Sequence, residues 1–297
     1  VVGNYNVNLQ FSPEFPRAFL HLHRLDCAIF TAGASAIDIN WTETIITAVV
    51  VLLGAAVHGT TGFGFSAISM GFLPLFRSVA PASIIVSILA ILTNLRVFWS
   101  VKSRLNLFDW RWAVGGLLLG TFPGVLIFRK LDETGLRIAI GIVLIILVII
   151  IGVIEKTGAL IPGKPGVQVR HGWSGLLLTG FLGGLLCGAV SIPGPPILVY
   201  GAFMLTAGVW KRDEMKALFT AFFGSAQFVR LVMLRFTGYV TWGMIVESLI
   251  LIPALIFGAW IGIKMYGKIS SKSFTWVVIA VMGLIGLILI VSSVLRG

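Results

Sequence analysis

Ten apolar stretches, separated by short polar clusters, dictate what this chain can become. They lie at roughly 42–58, 65–76, 83–100, 112–128 and 136–154, and again at roughly 173–188, 195–208, 217–235, 242–263 and 273–294. Wound as helices, most are long enough to cross or nearly cross a hydrocarbon core of about 30 Å. Inside lipid each backbone amide needs a partner within its own segment, so the expected fold class is an all-α polytopic membrane protein. Only 11% of the residues are charged, against about 25% in a soluble domain. Lys and Arg outnumber Asp and Glu by 22 to 11. In a soluble chain that excess would point to nucleic acid; here it points to basic cytoplasmic loops and a pathway that attracts anions, with no nucleic-acid partner.

The stretches fall into two sets. Gly54 and Gly59 recur as Gly183 and Gly188 after 129 residues, Asn94 matches Gln227 after 133, and Gly120, Gly124, Lys130 and Leu131 recur as Gly258, Gly262, Lys268 and Ile269 after 138. Offsets that grow along the chain are the mark of one duplicated unit with small insertions. If all five stretches of a set cross, or if the first two form a re-entrant hairpin and three cross, the number of crossings is odd. Either way the second copy is inverted relative to the first, as in many secondary transporters. The expected organisation is a tail over 1–41 with an interfacial helix from Ser12, a first repeat over 42–154, a linker over 155–172 and a second repeat over 173–297. Loop Lys and Arg are denser on the side of Lys102, Arg111, Lys156 and Lys211, which makes that side cytoplasmic, puts both termini outside and suits the plasma membrane. Trp41, Trp110, Trp112, Trp173, Trp210, Trp242 and Trp276 lie near segment ends, where indole rings favour the headgroup region.

Chemistry is expected at two interruptions, one over His58–Ser66 and one over Gly188–Pro196. Each glycine weakens a helix by about 1 kcal/mol relative to Ala, and proline suits only its first turn, so a new half-helix should begin at Pro195 or Pro196. Half-helix N-termini at membrane depth present unpaired N–H groups and the positive end of the helix dipole, an anion site without a charged side chain. The candidate substrate-binding residues are Thr61, Gly62, Phe63, Gly64 and Ser66 from the first break, and Ser191, Gly194 and Pro195 from the second. Asn94, Arg96, Gln227 and Arg230 join them, since an intramembrane Arg needs a partner or a polar cavity and the two amides can donate to oxyanions. Snorkelling is the competing reading for the arginines. His58 and Glu247 are the candidates for proton coupling, against simple bonding to a neighbouring helix or an Arg. Gly115, Gly120, Gly124, Gly258 and Gly262 read as packing seams. No P-loop, H-E-x-x-H or G-x-S-x-G motif occurs, so no enzyme activity, cofactor or metal is expected and transport is secondary or passive.

The run from His58 to Phe65, the run from Gly183 to the Gly194-Pro195-Pro196 ending, and the duplicated Gly-x-x-x-Gly ahead of Lys-Leu or Lys-Ile together resemble the TauE/SafE family of sulfite exporters and organosulfur-anion permeases, over about residues 42–294. The resemblance implies movement of a small sulfur-containing anion such as sulfite, sulfoacetate or a related sulfonate, with the substrate region at 61–66 and 191–195. Ile192-Pro193 stands where a glycine pair is common in that family. The expected function is a secondary transporter for such an anion in the bilayer. The alternatives are a passive anion channel, which would show neither saturation nor counterflow, and a non-transporting assembly protein; a homo-oligomer remains open.

Overall fold

The computed structural model describes residues 40–158, 172–265 and 271–296. The tail helix, most of the linker and the Lys268 end of the repeat lie outside them. The elements are α1 (Trp41–Thr61), α2 (Phe65–Phe72) running into a 3-10 turn (Leu73–Leu75), α3 (Val79–Val101) with a 3-10 turn (Lys102–Arg104), α4 (Leu107–Lys130) and α5 (Glu133–Thr157). They continue as α6 (Trp173–Val190), α7 (Gly194–Thr206), α8 (Arg212–Phe236), α9 (Trp242–Met265) and α10 (Ser271–Arg296). Among the described residues, eight helices are long and apolar enough to span a membrane; α2 and α7 are shorter. Starts have local causes. Asn40, Asn106 and Asp132 each accept a hydrogen bond from an amide in the first turn of α1, α4 and α5, satisfying a donor that the helix leaves free.

The second stretch of each set turns back inside the bundle. Gly54 of α1 lies against Phe65 and Ser69 of α2, and Arg77, just beyond that return leg, donates to Thr47 Oγ1 at 3.1 Å. Likewise Gly183 of α6 lies against Pro193, and Gly175 against Tyr200 of α7. Two hairpins result, α1–α2 and α6–α7, each with its Gly- or Pro-rich break at the tip.

The long helices pair across the two halves: α1 with α9, α4 with α6, α3 with α8 and α5 with α10. The first two pairs run parallel, since Gly116, Gly120 and Gly124 meet Leu177, Phe181 and Leu185 in that order, and Gly258 and Gly262 meet Leu52 and Ala56. The other two run antiparallel. Ser83 meets Arg230 while Asn94 meets Gly224, and Gly141 meets Ile290 while Val148 meets Gly283. Helices at corresponding places in the two sets, α3 and α8 or α5 and α10, therefore point in opposite directions.

The parallel seams depend on glycine because backbone touches backbone. A methyl group on Gly120 would run into the Phe181 carbonyl, and one on Gly262 into the Ala56 carbonyl. Lipid offers no hydrophobic drive for helix association, so such close contact carries the packing. Gly115, expected in the seam, faces only the Leu177 side chain at 3.8 Å; Gly116, one position on, takes its place. Gly120→Ala is thus expected to destabilise by about 1–3 kcal/mol through overpacking. Gly115→Ala should stay within about 0.5 kcal/mol of the parent. Thermal unfolding in detergent compares the two, and equal losses would refute this account of the seam.

Helix direction gathers Lys102, Arg104, Lys211, Arg212 and Lys216 at one end of α3 and α8, and Glu43, Arg77 and Glu247 at the other. Trp41, Trp173 and Trp242 are exposed at helix ends. Trp210 is not a headgroup anchor: it is 5% exposed and its indole N–H donates to Asp109 at 3.0 Å.

Candidate functional site

At the first tip, α1 ends on Gly62 (φ 78°), whose N–H donates to the His58 carbonyl at 2.7 Å, and Gly64 (φ 95°) precedes α2. Only glycine adopts such angles without strain. The first bond of α2 runs from Ile68 N–H to the Gly64 carbonyl at 2.9 Å, so the amides of Phe65, Ser66 and Ala67 have no partner within the helix. These three residues line a cavity of about 40 Å³, closed further by His58, Phe63, Asn94, Pro193 and Gly194. That is room for about three water molecules.

The second tip is built differently. Ser191 ends α6 in the left-handed region (φ 64°), a conformation that costs a non-glycine residue roughly 1–2 kcal/mol. Its own bonds hold it there: its N–H donates to the Cys187 carbonyl at 2.8 Å, its hydroxyl donates to Gln227 Oε1 at 3.1 Å, and Ser87 Oγ lies 3.2 Å away. α7 begins at Gly194, one residue before the expected Pro195, with Pro193 as its cap. Pro195 and Pro196 have no N–H, so α7 offers one free amide in its first three positions where α2 offers three. The two N-termini are therefore unequal donors.

A polar relay joins the tips. Gln227 Nε2 donates to Ser66 Oγ at 3.1 Å and to the Ser191 carbonyl at 2.9 Å, so one side chain bridges both breaks. Behind it Arg230, fully buried, donates from Nη1 to Ser87 Oγ (2.9 Å) and the Ser83 carbonyl (3.3 Å), from Nη2 to Ser83 Oγ (3.1 Å) and from Nε to the Gly188 carbonyl (3.3 Å). The Phe128 ring lies 5.0 Å from the guanidinium carbon, close enough for a cation–π contact. No carboxylate is among these partners; the charge rests on hydroxyls and on the carbonyl end of α6, the negative end of its dipole. Polar contacts thus run Arg230, Ser87, Ser191, Gln227, Ser66, from a buried cation to the cavity wall, with the Ser87 hydroxyl hydrogen shared between Ser191 and the Ser83 carbonyl 2.8 Å away.

The structure brings together most, but not all, of the residues singled out in the sequence. Phe63, Gly64, Ser66, Asn94, His58 and Gly194 line the cavity. Gly62 caps α1 beside it, and the side chain of Thr61 lies outside the described residues. Ser191, Gln227 and Arg230 stand behind the wall, and Pro195 is buried in the first turn of α7. Arg96 lies exposed on α3, because two residues from Asn94 is about 200° around a helix. Glu247 is held by Arg77 at 2.6 and 3.2 Å, beside Thr44 and Thr47, three turns of α1 away from His58. Nor do the amides donate into the cavity. Asn94 Nδ2 is taken by the Ala90 carbonyl at 2.7 Å, leaving Oδ1 buried without a hydrogen-bond partner among the described residues, and Gln227 Nε2 serves Ser66 and Ser191. Ser83, Ser87 and Lys216, which lies against Gly62, are additions. The two serines, four apart on one face of α3, were the available signal.

Residues 46–289 match the family described as sulfite exporter TauE/SafE. A curated relative, the probable sulfite/organosulfonate exporter TauE of Cupriavidus necator, is 25% identical over 219 residues, which cover 71% of this chain and 80% of the relative. No solved structure matches the chain.

Proposed function

Because the chain belongs to the sulfite exporter TauE/SafE family, a family of membrane transporters and not of enzymes, we propose that it is a secondary transporter for a small sulfur-containing anion, sulfite or an organosulfonate, bound at the cavity beside the N-terminus of α2. The observation that carries this reading is the set of three amides, Phe65, Ser66 and Ala67, at the positive end of α2 on the wall of a cavity where two hairpin tips meet. An anion satisfies those donors without a charged ligand. Arg230 adds a positive field from behind the wall and is not itself a ligand. The opposite directions of α3 and α8 and of α5 and α10 fit an inverted duplication, in which the two hairpins enter from opposite faces towards one site.

The cavity lies towards the end carrying Lys102, Lys211 and Lys216. The positive-inside bias makes that end cytoplasmic and the termini external, and its cations concentrate anions where an exporter collects them. At the other end Arg77 is paired with Glu247. Thermal unfolding of the purified protein with sulfite, sulfoacetate, sulfate or chloride, at matched ionic strength, tests the proposal. A selective gain with a sulfur anion is expected, about 2.7 kcal/mol at a hundredfold excess over Kd, followed by saturable counterflow in proteoliposomes. An equal shift with chloride, or no shift with any sulfur anion, defeats it.

A further inference from the structure

We infer that the cavity selects anions that carry their own hydrogen-bond donor, such as hydrogensulfite or a hydroxyl-bearing sulfonate, over anions that only accept. The inference rests on the transporter reading above and adds what the site demands of its substrate. The cavity has two poles. One is the amide set of Phe65, Ser66 and Ala67, which wants acceptors. The other is Asn94, a lining residue 4% exposed whose Oδ1 has no hydrogen-bond partner among the described residues.

The amide cannot simply be turned round to supply a donor. Its Nδ2 lies 2.7 Å from the Ala90 carbonyl, and the reversed amide would set two acceptors against each other at that distance. His58 reinforces the second pole. It is 3% exposed, lines the same cavity, and neither ring nitrogen has a hydrogen-bond partner among the described residues. A neutral imidazole holds one donor and one acceptor, so it can share a proton with a ligand hydroxyl as readily as it can donate to an oxyanion.

A bound anion with acceptors alone leaves the Asn94 carbonyl oxygen buried, unpaired and close to negative charge. A ligand O–H placed there supplies the bond, and sites built to bond a ligand hydroxyl discriminate strongly against analogues that lack it.

The test uses two sulfonates of equal charge and equal heavy-atom number, 2-hydroxyethanesulfonate and propane-1-sulfonate, titrated calorimetrically into the purified full chain. The hydroxyl compound is expected to bind about 10–100-fold more tightly, and Asn94→Leu is expected to bring the ratio close to one. Equal affinities in the parent protein, or a ratio that survives in Asn94→Leu, overturn the inference and leave the transporter reading in place. Should the variant fail to fold, the parent ratio alone decides. Absence of binding by both sulfonates and by sulfite overturns the transporter reading together with this one.

Discussion

Arg230→Ala is expected to cost the folded protein about 3–5 kcal/mol, the range for removing one member of a buried charged network, and to abolish transport with it. The guanidinium holds the hydroxyls of Ser83 and Ser87 and the carbonyls of Ser83 and Gly188. Deleting it takes a donor from each of these groups in an apolar interior, leaving the serine hydroxyls their bonds to carbonyls of α3, and opens a void under Phe128. Arg230→Lys keeps the charge but cannot span a helix and a hairpin tip at once, because an ammonium is a compact point donor where the guanidinium is a planar fork. An intermediate loss is expected there. Chemical or thermal unfolding of both variants in detergent, set beside anion affinity, distinguishes this supporting role from direct ligation. A substrate ligand would lose affinity while retaining stability, and a fully stable Arg230→Ala protein would rule the supporting role out.

Gln227→Leu should act on the site more than on the fold. The substitution keeps much of the volume but cuts the bridge between Ser66 and Ser191. It leaves acceptors on both tips unpaired, at a cost of about 1–3 kcal/mol, which is roughly 5–150-fold in anion affinity if the tips separate. Gln227→Glu retains an acceptor for the Ser191 hydroxyl, loses both donations and sets a carboxylate behind the anion, so its loss of affinity should be the larger of the two. Affinity measured by the thermal shift of each variant with the parent's ligand reads the order directly. A glutamate variant that binds as well as the parent would show that the relay does not communicate with the cavity.

The breaks were legible because they are local chemistry. Glycine at Gly62 and Gly64 and proline at Pro195 and Pro196 set backbone angles and remove donors whatever surrounds them. The hairpins were only half legible, since length alone does not show that α2 returns along α1 until Arg77 reaches Thr47. Helical phase explains the arginines. Asn94 and Arg96, two apart, must face different ways, whereas Gln227 and Arg230, three apart, share a face; that contrast was present in the spacing. What no spacing contains is which end of a buried carboxamide is left without a partner. That depends on the Ala90 carbonyl one turn back winning the Asn94 N–H, a choice made between local and tertiary partners after the helices meet. The inequality of the two copies was legible as well, because the two prolines that strip α7 of the amides α2 retains stand in the sequence.

The cross-paired glycine seams also set a timetable for biosynthesis. Of the described helices α1 emerges first, yet the helix it lies against, α9, ends at Met265. At about 5–20 residues per second the chain needs roughly 10–40 s to supply it. Throughout that interval the Leu52, Ala56 and Gly59 face of α1 lies bare in lipid, and the same delay, though shorter, separates α4 from α6. Neither copy can finish its packing alone, so a ribosome stalled after the first repeat leaves a membrane-inserted intermediate with open small-residue faces, a species suited to capture by insertion chaperones or quality-control proteases.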